Sequence, residues 1–221
     1  MIKLLNSIIT LFLVAEISAQ PNHRDSINVL NYDLHIEITQ ISASTISGHA
    51  VIMFVPGFDN STSFAFDLQK LTVDSVKLNG ESRAYTHISN IIRFSGNQTY
   101  HSHDTLSAEI FYQGIPAKDP SGWGGFYFAA GQAFNMGVGM SVNPHVYGRC
   151  WYPCIDNFTD KATYNFFITT LSNHKAICGG VYVSDTLNAQ SKRVWHWKLE
   201  QPAPTYLTSV VVGDFQHVGF D

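Results

Sequence analysis

Apolar and polar residues alternate along most of this chain. Tyr32, Leu34, Ile36 and Ile38 are separated by Asp33, His35 and Glu37, which predicts a strand with one buried and one wet face. The rhythm recurs less cleanly over Ile46 to Val55, stopping at Pro56-Gly57, and again in Phe64, Phe66 and Leu68 and over Leu71 to Leu78. Asn79-Gly80 then marks a hairpin, because both residues tolerate positive φ. Further strands are predicted around Tyr85 to Ile88, Ile91 to Phe94 and Leu106 to Tyr112. Gly122-Trp123-Gly124-Gly125 reads as a tight turn feeding a strand through Phe126 and Phe128. Later, Tyr164, Phe166 and Ile168 form one strand face, and Trp195, Trp197 and Leu199 another with His196 and Lys198 outward. Thr205 to Phe215 reads as a last, mostly buried strand. No window after residue 20 holds a helical period, so the chain is predicted to be all-β, a sandwich or one large curled sheet.

The 221 residues, 45% hydrophobic and 14% charged, suit one globular domain with a substantial core. A net charge of −4 gives no case for nucleic acid or an anionic membrane surface as partner. The first 19 residues stand apart: Lys3, an apolar run from Leu4 to Val14, and small residues at Ser18-Ala19 predict a secretory signal peptide cut after Ala19. The run is too short to span a bilayer; the alternative is a buried N-terminal helix. The predicted organisation is a signal peptide at 1–19, a mobile lead-in at 20–30 and a β domain at 31–221, in a secreted, periplasmic or cell-surface protein. The glycosylation sequons at Asn60, Asn97 and Asn157 matter only if the source glycosylates its exports.

The densest signal lies between Gly148 and Tyr164. Gly148-Arg149-Cys150-Trp151-Tyr152-Pro153-Cys154-Ile155-Asp156 is bulky and almost uncharged, and Pro153 should end any strand that reaches it. Asp156 has the character of a cap for a short helical turn, accepting N–H groups near Thr159. Arg149, Asp156, Asp160 and Lys161 are charges beside a large aromatic surface, and unpaired burial of any would be costly, so pairing is expected. Cys150, Cys154 and Cys178 leave an odd thiol. They read best as buried free cysteines, with Cys154–Cys178 or Cys150–Cys178 bridges as alternatives.

Catalytic chemistry is harder to place. No His is followed by Glu, so a His-Glu-x-x-His zinc helix is absent. His101-Ser102-His103 could turn two rings to one side but reads better as a solvated loop tip. There is no Gly-x-Ser-x-Gly elbow, and Cys154 has no sequence-adjacent His to activate it. Asp156 and Asp160 fit capping and ion pairing better than acid–base work. Trp123, Tyr127, Trp151 and Tyr152 could line a groove, although core packing is the default for most.

Pro153-Cys154-Ile155-Asp156 followed after four residues by Lys161-Ala162-Thr163-Tyr164 resembles the Pro-Cys-x-Asp and Lys-Ala-Ser/Thr-Phe/Tyr segment of the gluzincin aminopeptidases, peptidase family M1. Gly125-Phe126-Tyr127, Pro202-Ala203-Pro204-Thr205-Tyr206-Leu207 and Val212-Gly213-Asp214-Phe215 resemble further elements of that family, in the same order. The resemblance covers about Asn31 to Phe215 and only the family's N-terminal domain, which it implies is a large, curled β-saddle of antiparallel and mixed sheet. Arg149, Pro153, Cys154, Asp156, Lys161, Tyr206 and Asp214 would be structural motif positions, and Asn143, Pro144 and Tyr147 would border the substrate cleft. Pro144 stands where many members carry a substrate-anchoring Glu or Gln, so that role does not carry over.

The resemblance further implies a parent enzyme that removes N-terminal residues from peptides with zinc-activated water. Catalytic residues, metal ligands and zinc are expected in a separate catalytic domain, the partner on which this domain would pack. Ending at Asp221, the chain reads as a fragment or truncated product, inactive alone. The alternative is a stand-alone secreted β-sandwich that binds a peptide, a glycan or a protein. The former catalytic-domain interface is expected around Asn135 to Tyr147, where Met136, Val138, Met140 and Val142 would form an oily stripe and the glycines between them would admit close backbone approach.

Overall fold

The computed structural model describes residues 22–216; the signal peptide expected at 1–19 lies outside them. Strand accounts for 61% of the structure and helix for 5%, so the all-β expectation holds. The first half comprises β1 (Ile27–Gln40), β2 (Thr45–Pro56), β3 (Ser61–Asp67), β4 (Thr72–Leu78), β5 (Glu81–Arg83), β6 (Tyr85–Ile88), β7 (Ile91–Tyr100) and β8 (Leu106–Gly114). The second half comprises β9 (Gly124–Ala129), β10 (Gln132–Gly139), β11 (Ala162–Leu171), β12 (Lys175–Cys178), β13 (Val181–Leu187), β14 (Lys192–Ala203) and β15 (Val210–Gly213).

An eight-stranded sheet in the order β13-β14-β11-β1-β2-β8-β4-β5 is accompanied by a four-stranded sheet, β12-β15-β10-β9, and a three-stranded one, β3-β7-β6. The large sheet is mixed: β1 runs parallel to β11, with Tyr32 opposite Tyr164 and Leu34 opposite Phe166, and antiparallel to β2. Alternation decides which face is covered. Tyr32, Leu34, Ile36 and Ile38 of β1, Ile52 and Phe54 of β2, Ile110 of β8 and Phe166 of β11 are buried in one cluster with Phe64 and Phe66 of β3 and Phe126 of β9. The small sheets therefore cover one face of the large sheet, while His35, Glu37, His49 and Phe167 on the other face are only half-buried.

Asn79 and Gly80 both take positive φ, and Leu78 pairs with Glu81 across the turn, as the hairpin signal requires. Two expectations fail. The lead-in at 20–30 is structured from Asn22: a 3-10 turn at His23–Asp25 precedes β1, and Ile27 and Val29 enter the core. Their alternation covers only Ile27 to Val29 and falls out of phase with Tyr32 at the register shift between Val29 and Asn31, too brief to stand out without the partner β2. The strand expected over Thr205 to Phe215 is instead a 3-10 turn, Thr205–Leu207, followed by the four-residue β15. The Thr208 hydroxyl bonds back to the Thr205 carbonyl three residues earlier, a local contact that competes with a strand ladder, while the Thr205 hydroxyl is held across the fold by Asp156.

Candidate functional site

The segment from Gly148 to Asp156 is a knot around which the three sheets meet. Gly148–Cys150 forms a 3-10 turn, and a Cβ on Gly148 would lie 2.7 Å from the Thr205 side chain, so no larger residue fits without displacement. Asp156, fully buried, accepts bonds at Oδ1 from the Gly148 N–H at 3.0 Å and the Thr205 hydroxyl at 2.7 Å. At Oδ2 it accepts one from Arg149 at 2.6 Å. Burial raises its pKa, opposed by the Arg149 charge and the Thr205 bond. The Arg149 guanidinium also lies over the Tyr147 ring, 5.2 Å from its centroid. Asp156 is therefore a staple between two turns and not the helix cap expected; Asn157 takes the N–H groups of Thr159 and Asp160 instead.

The knot is anchored a second time. The Asp156 N–H donates to Asp67 Oδ2 at 3.1 Å, and Asp67 also accepts from Arg24 Nε at 2.8 Å and Nη2 at 2.9 Å and pairs with His23 at 3.0 Å. Burial pushes the Asp67 carboxyl up, but the bonds from His23 and Arg24 outweigh it and hold the carboxyl below its ordinary range. Cys154 pairs with Asp67 as an isolated bridge. Tyr32 receives the Ile155 N–H through its hydroxyl at 3.1 Å and stacks on Tyr164 at 5.1 Å. Trp151 and Tyr152 are core residues in edge contact at 4.8 Å. Cys150, Cys154 and Cys178 are free and buried, and burial pushes each thiol up, which makes them poor nucleophiles.

The expected pairing of all four charges is only half realised. Arg149 and Asp156 pair, and Lys161 is exposed. Asp160 accepts the Val29 N–H at 3.0 Å, while its Oδ2 is buried without a partner. Burial raises its pKa to about 6.

Asn143, Pro144 and Tyr147 lie on the loop after β10, but not as one surface. Asn143 is exposed and Pro144 half-buried, whereas Tyr147 points inward and supports the loop, its hydroxyl 3.4 Å from the Lys118 carbonyl. Tyr147 thus does not face solvent as a cleft-border position would. The stripe expected at Met136 to Val142 breaks where β10 ends at Gly139: Met140 is 57% exposed, but Val142 packs against the core. The close approach does occur, since a Cβ on Gly137 would fall 1.9 Å from the Tyr206 carbonyl oxygen. Tyr206, in its 3-10 turn, meets Phe158 edge-on at 5.3 Å. Asp214 is exposed beyond β15.

Two positions carry weight that sequence reasoning overlooked. Asp119 is buried and accepts from the Ser121 N–H, the Ser121 hydroxyl and the Ser141 N–H. Burial opposes ionisation, but those bonds prevail and lower its pKa to about 2. It ties the Trp123 loop to the Met140 loop, leaving Trp123 69% exposed. The Asp-x-Ser spacing at 119–121 was a legible turn signal. Asn135 bridges β10 to the C-terminal segment, donating to the Thr208 carbonyl and accepting from the Val210 N–H, a long-range link with no local signal.

Most of these buried polar groups hold backbone and Arg, an arrangement that positions loops. Among the described residues no three His, Cys, Asp or Glu side chains converge in a way that could hold a metal. His101 and His103 stack at 5.7 Å on an exposed loop beside Asp59 and Asp104. No helix among the described residues is long and apolar enough to cross a membrane.

The family model of the peptidase M1 N-terminal domain matches residues 28–207. No curated protein matches the chain. The fold is similar to the M1 zinc metallopeptidase from Deinococcus radiodurans, with a TM-score of 0.75 and 21% identity over 85% of this chain and 42% of that one. A mutant of that enzyme bound to a Tyr-Ser-Ala substrate gives a TM-score of 0.76 at 21% identity and the same coverage. A two-domain M1 zinc metallopeptidase mutant bound to L-tryptophan gives 0.75 at 20%, covering 85% of this chain and 43% of that one. The chain thus spans less than half the length of the solved structures it resembles.

Proposed function

The chain belongs to the peptidase M1 N-terminal domain family, and from that premise we propose that it is the non-catalytic N-terminal domain of a secreted zinc metallo-aminopeptidase. The observation that carries this reading is the family match over 28–207, which spans the whole Gly148–Asp156 knot and reaches Leu207. In this role the domain packs on a zinc-bearing catalytic domain and borders its substrate cleft through the loop of Asn143 and Pro144. Asp119 and the Arg149–Asp156 pair fix that loop from below, so the border is rigid before substrate arrives, and a preset geometry costs less to bind against. The similar enzymes bound to a Tyr-Ser-Ala peptide and to L-tryptophan fit a protein that handles the N-terminal residues of peptides. Zinc would be held by that catalytic domain and would there supply the chemistry that makes water a nucleophile; the residues described here do not fit that ion. The segment 1–19 serves as the export signal.

Zinc content and hydrolysis of amino-acid amides, measured on residues 20–221 alone and on the complete gene product, test this reading. The expected result is activity and one zinc per chain only in the complete product. Stoichiometric zinc with turnover in residues 20–221 alone overturns it.

A further inference from the structure

The open face of the eight-stranded sheet carries a row of five stacked rings that the proposed function does not use. It crosses five neighbouring strands: Phe111 on β8, His49 on β2, His35 on β1, Phe167 on β11 and His196 on β14. Successive centroids are 4.8, 4.5, 4.4 and 4.3 Å apart, and the central His35 and His49 rings are within 6° of parallel. His35 and His49 are direct cross-strand partners, so strand pairing itself holds the two rings face to face.

Neutral rings stack well in this way, but two imidazolium rings at 4.5 Å repel. The surroundings supply charge for one proton only. Glu109 lies 3.8 Å from His49 Nε2 and is already paired with Lys77 at 2.8 Å. That same Lys77 sits 5.0 Å from the Phe111 centroid, so the Phe111 end of the row already carries a positive charge that opposes a second one on His49. On the His35 side, Asp33 accepts the amides of Asn31 and Asn165, and Glu37 is paired with Lys192. Beyond Phe167 stand His196, bonded to Asn165 at 3.3 Å, and Lys198, paired with Glu200.

We propose that the His35–His49 pair is an acid-sensitive latch on this face: the row stays closed with at most one proton on the pair, and a second proton separates the two imidazoles. Burial, then the neighbouring His49, lowers the pKa of His35 against the pull of Asp33 and Glu109; burial lowers that of His49, opposed by Glu109 and helped less by Lys77. Both directions agree with the geometry.

Nuclear magnetic resonance titration of the histidine rings in the full chain tests the latch, with histidine in a short unstructured peptide as reference. The expected result is that His35 and His49 titrate as a coupled pair, the second step shifted below the peptide value. The Phe111 and Phe167 ring signals should move with that second step. In His35→Phe, the remaining His49 should titrate in a single step and the acid movement of Phe167 should be lost; His49→Phe serves equally if the first variant does not fold. Independent titration of both rings at the free-peptide value, or Phe signals that do not move with the second step, overturns the proposal.

Discussion

Removing the Asp156 carboxylate should unfasten the knot, and the structure sets the size of the effect. Asp156→Ala deletes three hydrogen bonds, to Gly148 N, Thr205 Oγ1 and Arg149 Nη1. It also strands the Arg149 guanidinium, whose side chain is only 12% exposed. A neutral bond contributes about 1 kcal/mol and one to a charged group about 2, while breaking one side of a buried pair costs about 3–5 kcal/mol. The larger figure applies because the Asp156 side chain is fully buried and that of Arg149 nearly so. Asp156→Asn keeps the two bonds to Oδ1 but turns an amide N–H₂ toward Arg149, so about 2 kcal/mol is expected to be lost. Urea unfolding followed by tryptophan fluorescence measures both, and an Arg149→Ala, Asp156→Ala cycle should give a coupling of more than about 1.5 kcal/mol. A cost below about 1 kcal/mol for Asp156→Ala would refute the view that this carboxylate organises the segment.

Asp160 makes the opposite prediction. Its folded pKa, about 6, lies above its unfolded value, so its penalty is absent below pH 4 and complete only above about pH 6, reaching about 3 kcal/mol. Asp160→Asn should stabilise the domain at pH 8 relative to pH 4, as the difference in unfolding free energy between variant and parent; no change in that difference with pH would dispose of the buried, unpartnered oxygen. Gly137→Ala should destabilise by more than about 2 kcal/mol, because the new methyl meets the Tyr206 carbonyl; calorimetry showing an unchanged Tm would contradict the close approach. Met140→Lys, at an exposed position, should alter stability by less than about 0.5 kcal/mol while weakening hydrophobic-dye binding; unfolding would mean that Met140 belongs to the core.

What the sequence disclosed depended on whether a signal was local. Tyr32 to Ile38, Leu106 to Tyr112 and Tyr164 to Ile168 face a core on one side only, so burial imprints the alternation that was read. Asn79-Gly80 was legible because its backbone geometry needs those residues. β13 left no trace: Val181, Tyr182 and Val183 are all exposed, so neither side is selected for polarity. The parallel match of β1 with β11 joins segments more than a hundred residues apart, which no local pattern encodes. At the candidate site, Pro153, Cys154 and Asp156 were visible as a motif, but Asp156's partner Thr205 and the latch from Arg24 to Asp67 were not. Tyr147 entered through the family resemblance, which marks a region and not the direction of a side chain, and the fold turns it inward.

Reading the gene transcript past the codon for Asp221 decides whether a catalytic domain follows this one. The expected result is an open frame that encodes a second domain, with a His-Glu-x-x-His zinc helix within about a hundred codons, one more domain's worth of chain. An authentic stop codon directly after Asp221, confirmed by the intact mass of the protein isolated from its own source, would contradict it.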